Sequence, residues 1–252
     1  EKNQRGHALQ ELKDKLERAE NLEIGSEIGH GTLERSVEIT IGSDLEALMG
    51  AEIVVEDGKV IASHGEPLQV NRPHPLWSEQ NPDAWWQATD AAIQALGQHR
   101  SLSAVRAIGL TGQMHGATLL DKQQKILRPA ILWNDGRSAQ ECRELEQCVP
   151  NSRQITGNLM MPGFTAPKLK WVAKHEPEIF AQVDKVLLPK DYLRWKMSGV
   201  FASDMSDAAG TMWLDVGKRD WSDELLAATG LKRSHMPALF EGSQITGELL
   251  ST

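Results

Sequence analysis

Two cysteines, one tyrosine and four phenylalanines are all that 252 residues hold of those types, and the scarcities narrow the field. Cys142 and Cys148 lie six apart in a polar, helix-like segment. Helical geometry puts them on different faces, so neither a disulfide nor a metal pair is expected, and two unpaired thiols fit a reducing cytoplasm. No run of about 18 apolar residues occurs, so no membrane span is expected. The first residues, Glu1 to Gly6, are polar and no apolar stretch follows, so no signal peptide is expected either. Basic residues are also short: Lys and Arg number 27 against 35 Asp and Glu, a net charge of -8. Gripping a phosphate backbone needs a clustered basic face, so nucleic acid is not an expected partner. Internal repeats and low-complexity segments are absent.

What remains is a globular composition, 40% apolar and 25% charged, in a chain long enough for one large domain or two small ones. Its eight tryptophans stand out against the single tyrosine. Trp buries a large area and keeps an N–H donor, so it suits both core packing and stacking on a sugar; most of the eight are expected to be structural.

The most informative stretch runs from Gly109 to Leu120, with Gln113-Met114-His115 bracketed by Gly112 and Gly116. Apolar runs at Ala107–Leu110 and Ala117–Leu120 flank it, a strand–loop–strand pattern that lifts Gln113, Met114 and His115 out of a sheet. The bracketing glycines permit close approach by backbone or ligand. A third run, Ala130 to Trp133, delivers Asn134, Asp135 and Arg137 at another strand end. Open α/β sheets place ligands at such ends.

From the start of the chain, Leu9, Leu12, Leu16, Ala19 and Leu22 recur at helical spacing, predicting an amphipathic helix over His7 to Leu22. It docks on the core or it recruits a partner; the pattern alone fits both. Ser36 to Ile41 alternates as a strand, and Ser43-Asp44-Leu45-Glu46 offers an N-cap for a short helical run to Met49. Glu52–Val55, Asp57-Gly58 and Val60–Ala62 spell a hairpin. Pro82 opens a helix to about Gly97 with Trp85, Ala88, Ala92 and Leu96 as its buried stripe, and His99 near its end needs no further role. Ser138 to Gln147 reads as a charged helix whose Glu141 and Glu144 face solvent. Gly163 to His175 reads as a Pro-started helix with Leu169, Trp171 and Val172 in the core and His175 at its end. Val186–Leu188 reads as a strand, followed by a helix ending at Gly199, and Trp221 to Ala228 as a last helix. Asp204 and Asp207 stand three apart in a small-residue loop, where capping and turn chemistry explain them better than a metal does.

Several of these segments carry a family resemblance. "RPHPLWSEQNPDAWWQAT", "GQMHGATLLD", "RPAILWNDGR", "ITGNLMMPGFTAPKLKWVAKHEPE", "VLLPKDYLRWKMSG" and "FASDMSDAAGTMWLDV" resemble the N-terminal domain of the FGGY carbohydrate kinases, and most nearly its bacterial xylulokinases. The resemblance implies an α/β, ribonuclease-H-like (actin-like ATPase) domain: a mixed twisted sheet with helices on both faces, spanning residues 51–252. Residues 1–50, a helix plus a strand, do not match. In the family the first strand ends in an Asp-Leu-Gly-Thr-Ser phosphate loop; here Ile39-Thr40-Ile41-Gly42-Ser43-Asp44-Leu45-Glu46 has no Gly-Thr-Ser, and Glu46 would repel a polyphosphate.

By the same resemblance Met114 and His115 line a xylulose site, Met114 packing on the carbon skeleton and His115 bonding a hydroxyl, with Gln113, Asn134 and Asp135 in support. The complete enzyme would use ATP and Mg2+ to phosphorylate D-xylulose or a related ketose. Its base is an Asp in a Gly-Gly-Gly-Asp-Asn-Ala loop of a second, nucleotide-binding domain that this sequence does not contain. No catalytic residue is therefore expected here, nor tight nucleotide binding, and the isolated chain is expected to be inactive. Expected partners are the sugar and either a second copy or a complementing C-terminal domain. The alternative is a non-catalytic sugar-binding or regulatory module whose N-terminal helix recruits a partner.

Overall fold

The computed structural model describes residues 23–25, 35–41, 48–55, 59–99, 101–103 and 105–250. The helix predicted over His7 to Leu22, the cap at Ser43 to Glu46 and the Asp57-Gly58 turn lie outside them. Four strands come first: β1 (Glu23–Gly25), β2 (Arg35–Ile41), β3 (Leu48–Val55) and β4 (Lys59–Pro67). The short β5 (Glu79–Gln80) leads into helix α1 (Pro82–His99), and then come β6 (Ala107–Gly112), β7 (Thr118–Leu120) and β8 (Ala130–Ile131).

β1, β6, β2, β3 and β4 form one five-stranded sheet in that order. β2, β3 and β4 are antiparallel neighbours, and the predicted hairpin closes with Val55 opposite Lys59. β6 runs parallel to β2, from Ser36 opposite Ala107 to Ile41 opposite Gly112, and parallel to β1 on its other side. Residues 35–41 thus form the strand that the alternation of Ser36 to Ile41 predicted, and it lies between β3 and β6. The short helical run predicted to Met49 is a correction: Met49 lies in β3 opposite Ile41. Backbone groups of β2 need partners along their whole length, and that demand outweighs a local capping signal.

Helix α1 packs against β3 and β4. Its predicted stripe is buried: Trp85, Ala88, Ala92 and Leu96 are all in the core. Later elements are α2 (Ala139–Cys148), α3 (Ser152–Thr156), α4 (Thr165–His175), α5 (Pro177–Phe180), β9 (Lys185–Leu187) and α6 (Pro189–Ser198). Helix α6 ends at Gly199, whose φ of 71° is the left-handed cap that glycine supplies most readily. It touches β6 and α1, so Tyr192, Leu193 and Met197 join Ile108 and Leu110 in the first core. The second core gathers Leu145 of α2 and Leu169 and Val172 of α4 around Trp213 and Trp221. The chain continues through β10 (Ala202–Asp204), α7 (Met205–Ala209), β11 (Leu214–Asp215), β12 (Asp220–Trp221), α8 (Asp223–Ala228) and β13 (Ala238–Phe240). The last predicted helix begins two residues later than expected, because Ser222 caps it by accepting from the Leu225 N–H.

Glu141 is a second correction. It is 1% exposed, not solvated, because α4 packs over α2 and Lys174 reaches back to it at 2.9 Å and to Glu144 at 2.8 Å. The thiols are as expected: both are free, Cys142 buried and Cys148 exposed. Among the described residues no helix is long and apolar enough to cross a membrane.

Candidate functional site

Residues 113–117 join β6 to β7. The bridge between Ala117 and Ile131 sets this loop beside the one that follows β8. Of the five residues singled out, Met114 and Asn134 are exposed, His115 is half-buried, and Gln113 and Asp135 are buried. Gln113 departs from expectation by turning inward: its Nε2 donates to Gln80 Oε1 at 2.9 Å, an acceptor shared with Trp85 Nε1 at 3.0 Å. It ties the loop to the start of α1 rather than standing out of the sheet.

His115 is the most constrained of the five. Its φ of 65° is left-handed, a conformation that costs a non-glycine residue roughly 1–3 kcal/mol unless its surroundings hold it. Its carbonyl accepts from Lys168 Nζ at 2.8 Å and from Thr165 Oγ1 at 3.2 Å. Its ring meets Phe164 edge-on, centroids 4.7 Å apart. On another side lies Gly210, where a Cβ would stand 2.3 Å from the ring Cε1. Burial, then the Lys168 ammonium, push the imidazole down to about 4, while the Gly210 backbone pulls it partly back up. Nδ1 is buried against that backbone without meeting hydrogen-bond geometry. At neutral pH the ring is uncharged and offers one donor and one acceptor. Close approach at Gly116 is also real, but its object is protein: a Cβ there would lie 2.5 Å from Pro189 Cγ at the start of α6.

Asp135 is fully engaged. It accepts from the Ser78 N–H at 2.6 Å, from the Arg137 N–H at 3.0 Å and from Arg137 Nε and Nη2 at 2.9 and 2.7 Å. The Arg137 guanidinium lies over the Trp77 ring at 3.7 Å and also pairs with Glu79, which binds Arg128. This network anchors the loop after β8 and leaves Asn134 facing a cleft of about 430 Å³ that Arg72, His74, Trp77 and Ser78 help line. Trp133, beside it, is 37% exposed, more than any other of the eight tryptophans.

The two aspartates in the small-residue loop divide their roles. Asp204 caps α7, accepting from the Asp207 N–H at 2.9 Å, as capping chemistry predicted. Lys190 joins them, its Nζ 2.9 Å from Asp204 and 2.7 Å from Asp207, with Asp191 at 3.0 Å. Among the described residues no group of three His, Cys, Asp or Glu could hold a metal ion.

Phe164, Thr165 and Lys168 were given no role of their own from sequence, yet all three converge on His115. The available signal was Lys168 itself, a cation set between core residues Ala166 and Leu169, one turn beyond Thr165.

Known proteins make the relationship explicit. The model of the FGGY family of carbohydrate kinases, N-terminal domain, matches residues 48–252. The chain belongs to the FGGY family. A second model, for YlqD protein, matches residues 1–63 and overlaps the first. The xylulose kinase of Escherichia coli (strain K12) is 68% identical over 212 residues, 83% of this chain and 44% of that protein. That of Bacillus subtilis (strain 168) is 40% identical over 217 residues, 83% of this chain and 43% of that one. The crystal structure of a xyloylose kinase from Brucella ovis, at 50% identity, covers 86% of this chain and 45% of its own, with a TM-score of 0.81. A Plasmodium falciparum glycerol kinase solved with ADP, covering 86% and 45%, has a TM-score of 0.77 at 19% identity and shares the fold. The FGGY domain therefore has the ribonuclease-H-like, actin-like ATPase fold that its motifs implied. The chain spans about 44% of the length of the curated xylulose kinases of Escherichia coli and Klebsiella pneumoniae that it matches.

Proposed function

We propose that this chain is the sugar-side part of a xylulokinase: in the complete enzyme the γ-phosphoryl of ATP passes to the terminal hydroxyl of D-xylulose, giving xylulose 5-phosphate and ADP. One observation carries the reading. A neutral His115 is held rigidly beside exposed Met114 and near a strand end that presents Asn134 and Trp133. A sugar hydroxyl both donates and accepts, and a neutral imidazole matches it; Met114 and Trp133 offer apolar surface to the carbon skeleton. Gln113 and Asp135 serve from beneath, the first fixing the loop through Gln80 and the second fixing Asn134 through Arg137.

Phosphoryl transfer needs more than this site supplies. Asp135, the carboxylate among these residues, is committed to Arg137 and Ser78 and is not placed as a base. No metal-binding acidic cluster is present among the described residues, and residues 42–47, where the family's phosphate loop would follow the first strand, lie outside them. The family resemblance assigns the base and most of the ATP site to a complementing C-terminal domain, with Mg2+ used by the complete enzyme, residues 51–252 acting as the sugar-binding domain of a cytoplasmic enzyme and a homodimer a further expected assembly. Calorimetric titration of the chain with D-xylulose, and separately with Mg-ATP, tests this. Saturable sugar binding that is lost in His115→Ala, with no nucleotide binding, is expected. A chain that is folded but does not bind xylulose, or one that binds Mg-ATP tightly, overturns it.

A further inference from the structure

We infer that the first turn of α4 positions His115: Lys168 and Thr165 hold the His115 carbonyl, and through it fix the imidazole where a sugar hydroxyl would meet it. The inference rests on the proposed sugar site, but its geometric part stands independently. Three observations meet here. His115 is a non-glycine residue with φ of 65°, a backbone state that persists when neighbours over-determine it. Its single carbonyl oxygen takes two donors, Lys168 Nζ at 2.8 Å and Thr165 Oγ1 at 3.2 Å. Both donors sit on one helix face, three residues apart, and both residues have no exposed surface.

Lys168 is an unusual choice for a core. A long cation is almost never buried without a partner, and Lys168 Nζ donates to a neutral carbonyl 53 residues earlier in the chain. An apolar residue of similar length would fill the same space at lower desolvation cost. What it would not do is donate to the His115 carbonyl. The donation does not require charge, since a neutral amine keeps its N–H groups. Burial drives Lys168 well below the ordinary lysine range, Asp135 opposing and Arg137 reinforcing that shift. With the carbonyl held by α4, the ring is left between Phe164 and Gly210 and its orientation is set. The role is one of positioning, because neither α4 side chain is required to touch the ligand.

The test compares Lys168→Met, Thr165→Val and Thr165→Ser with the wild-type chain by two readouts. One is D-xylulose affinity by calorimetry. The other is the His115 ring resonance, assigned by its loss in His115→Ala and followed by NMR without sugar. Lys168→Met is expected to weaken xylulose at least tenfold and shift the His115 resonance while the circular dichroism spectrum stays native. Thr165→Val should do the same to a smaller degree, about threefold, and Thr165→Ser, which keeps the hydroxyl donor, should restore both. If Lys168→Met does not fold, the Val and Ser pair decides on its own. Unchanged affinity and an unmoved resonance in a folded Lys168→Met or in Thr165→Val overturn the inference. Should the wild-type chain not bind xylulose, the proposed function fails, and the resonance still reports whether α4 fixes the ring.

Discussion

Alanine at Gly210 should destabilise the protein although its backbone would welcome a side chain. Gly210 has φ of -75° and ψ of -4°, ordinary right-handed values. At such a site Gly→Ala stabilises by about 0.4–1 kcal/mol, by reducing the freedom of the unfolded chain. Here the new Cβ would fall 2.3 Å from Cε1 and 2.6 Å from Nδ1 of His115. The ring has little room to retreat, with Phe164 at its edge and its carbonyl fixed by Lys168. Overpacking of this kind costs about 1–3 kcal/mol. The steric effect wins, leaving a net loss of about 1–2 kcal/mol once the backbone gain is subtracted. For a chain of this size that lowers the melting temperature by roughly 2–8 °C. Guanidinium unfolding of wild type, Gly210→Ala, His115→Ala and the double variant closes a double-mutant cycle. With the ring removed, Gly210→Ala should change sign and gain about 0.4–1 kcal/mol, so the coupling should reach about 1–3 kcal/mol. A Gly210→Ala protein as stable as wild type, or a coupling near zero, would refute the proposed contact.

Lys190→Met should cost about 3–5 kcal/mol in chemical denaturation, because it strips the ammonium shared by buried Asp204 and by Asp207, while Asp191 keeps Arg194 at 3.0 Å; a cost below about 1 kcal/mol would show the pair to be solvated. His115 sets a pH effect of defined sign. Its folded value near 4 lies below the ordinary 6.5, so the folded state binds fewer protons than the unfolded one between them. That contribution to stability is complete above about pH 6.5 and is lost as pH falls towards 4. Denaturation at pH 7 and pH 5 should show wild type losing more stability on acidification than His115→Gln, and equal losses would rule the effect out.

Local pattern made some of this molecule readable in advance and long-range contact hid the rest. The stripe Trp85, Ala88, Ala92, Leu96 follows from helical spacing alone, and the β3–β4 hairpin follows from β-branched runs on either side of Asp57-Gly58, so both elements are found where the sequence puts them. The spacing of His115 between two glycines likewise announced a special loop. Gln113 was misplaced because its acceptor lies on Gln80, 33 residues earlier and in another strand. Glu141 was misplaced for the same reason, its ammonium partner standing 33 residues later on a helix that packs across it. A charged residue on a polar helix gives no sign that a neighbouring helix will cover it. Asp135 could have been read more closely, since Arg137 two residues on supplies both arms of its bidentate pair. Short Asp-x-Arg spacing is a local signal, and its meaning here is anchorage.

β2 lies between β3 and β6, paired with β3 over Arg35–Ile41 and with β6 from Ser36 to Ile41. The family model begins at residue 48, just beyond it. A shorter version of the protein cut at that boundary would keep every residue the family model matches, yet it would lose β1 as well as β2 and so open one edge of β3 and both edges of β6, each able to pair with another chain. Protection of those sheet edges therefore rests on strands that lie outside the match to the family model.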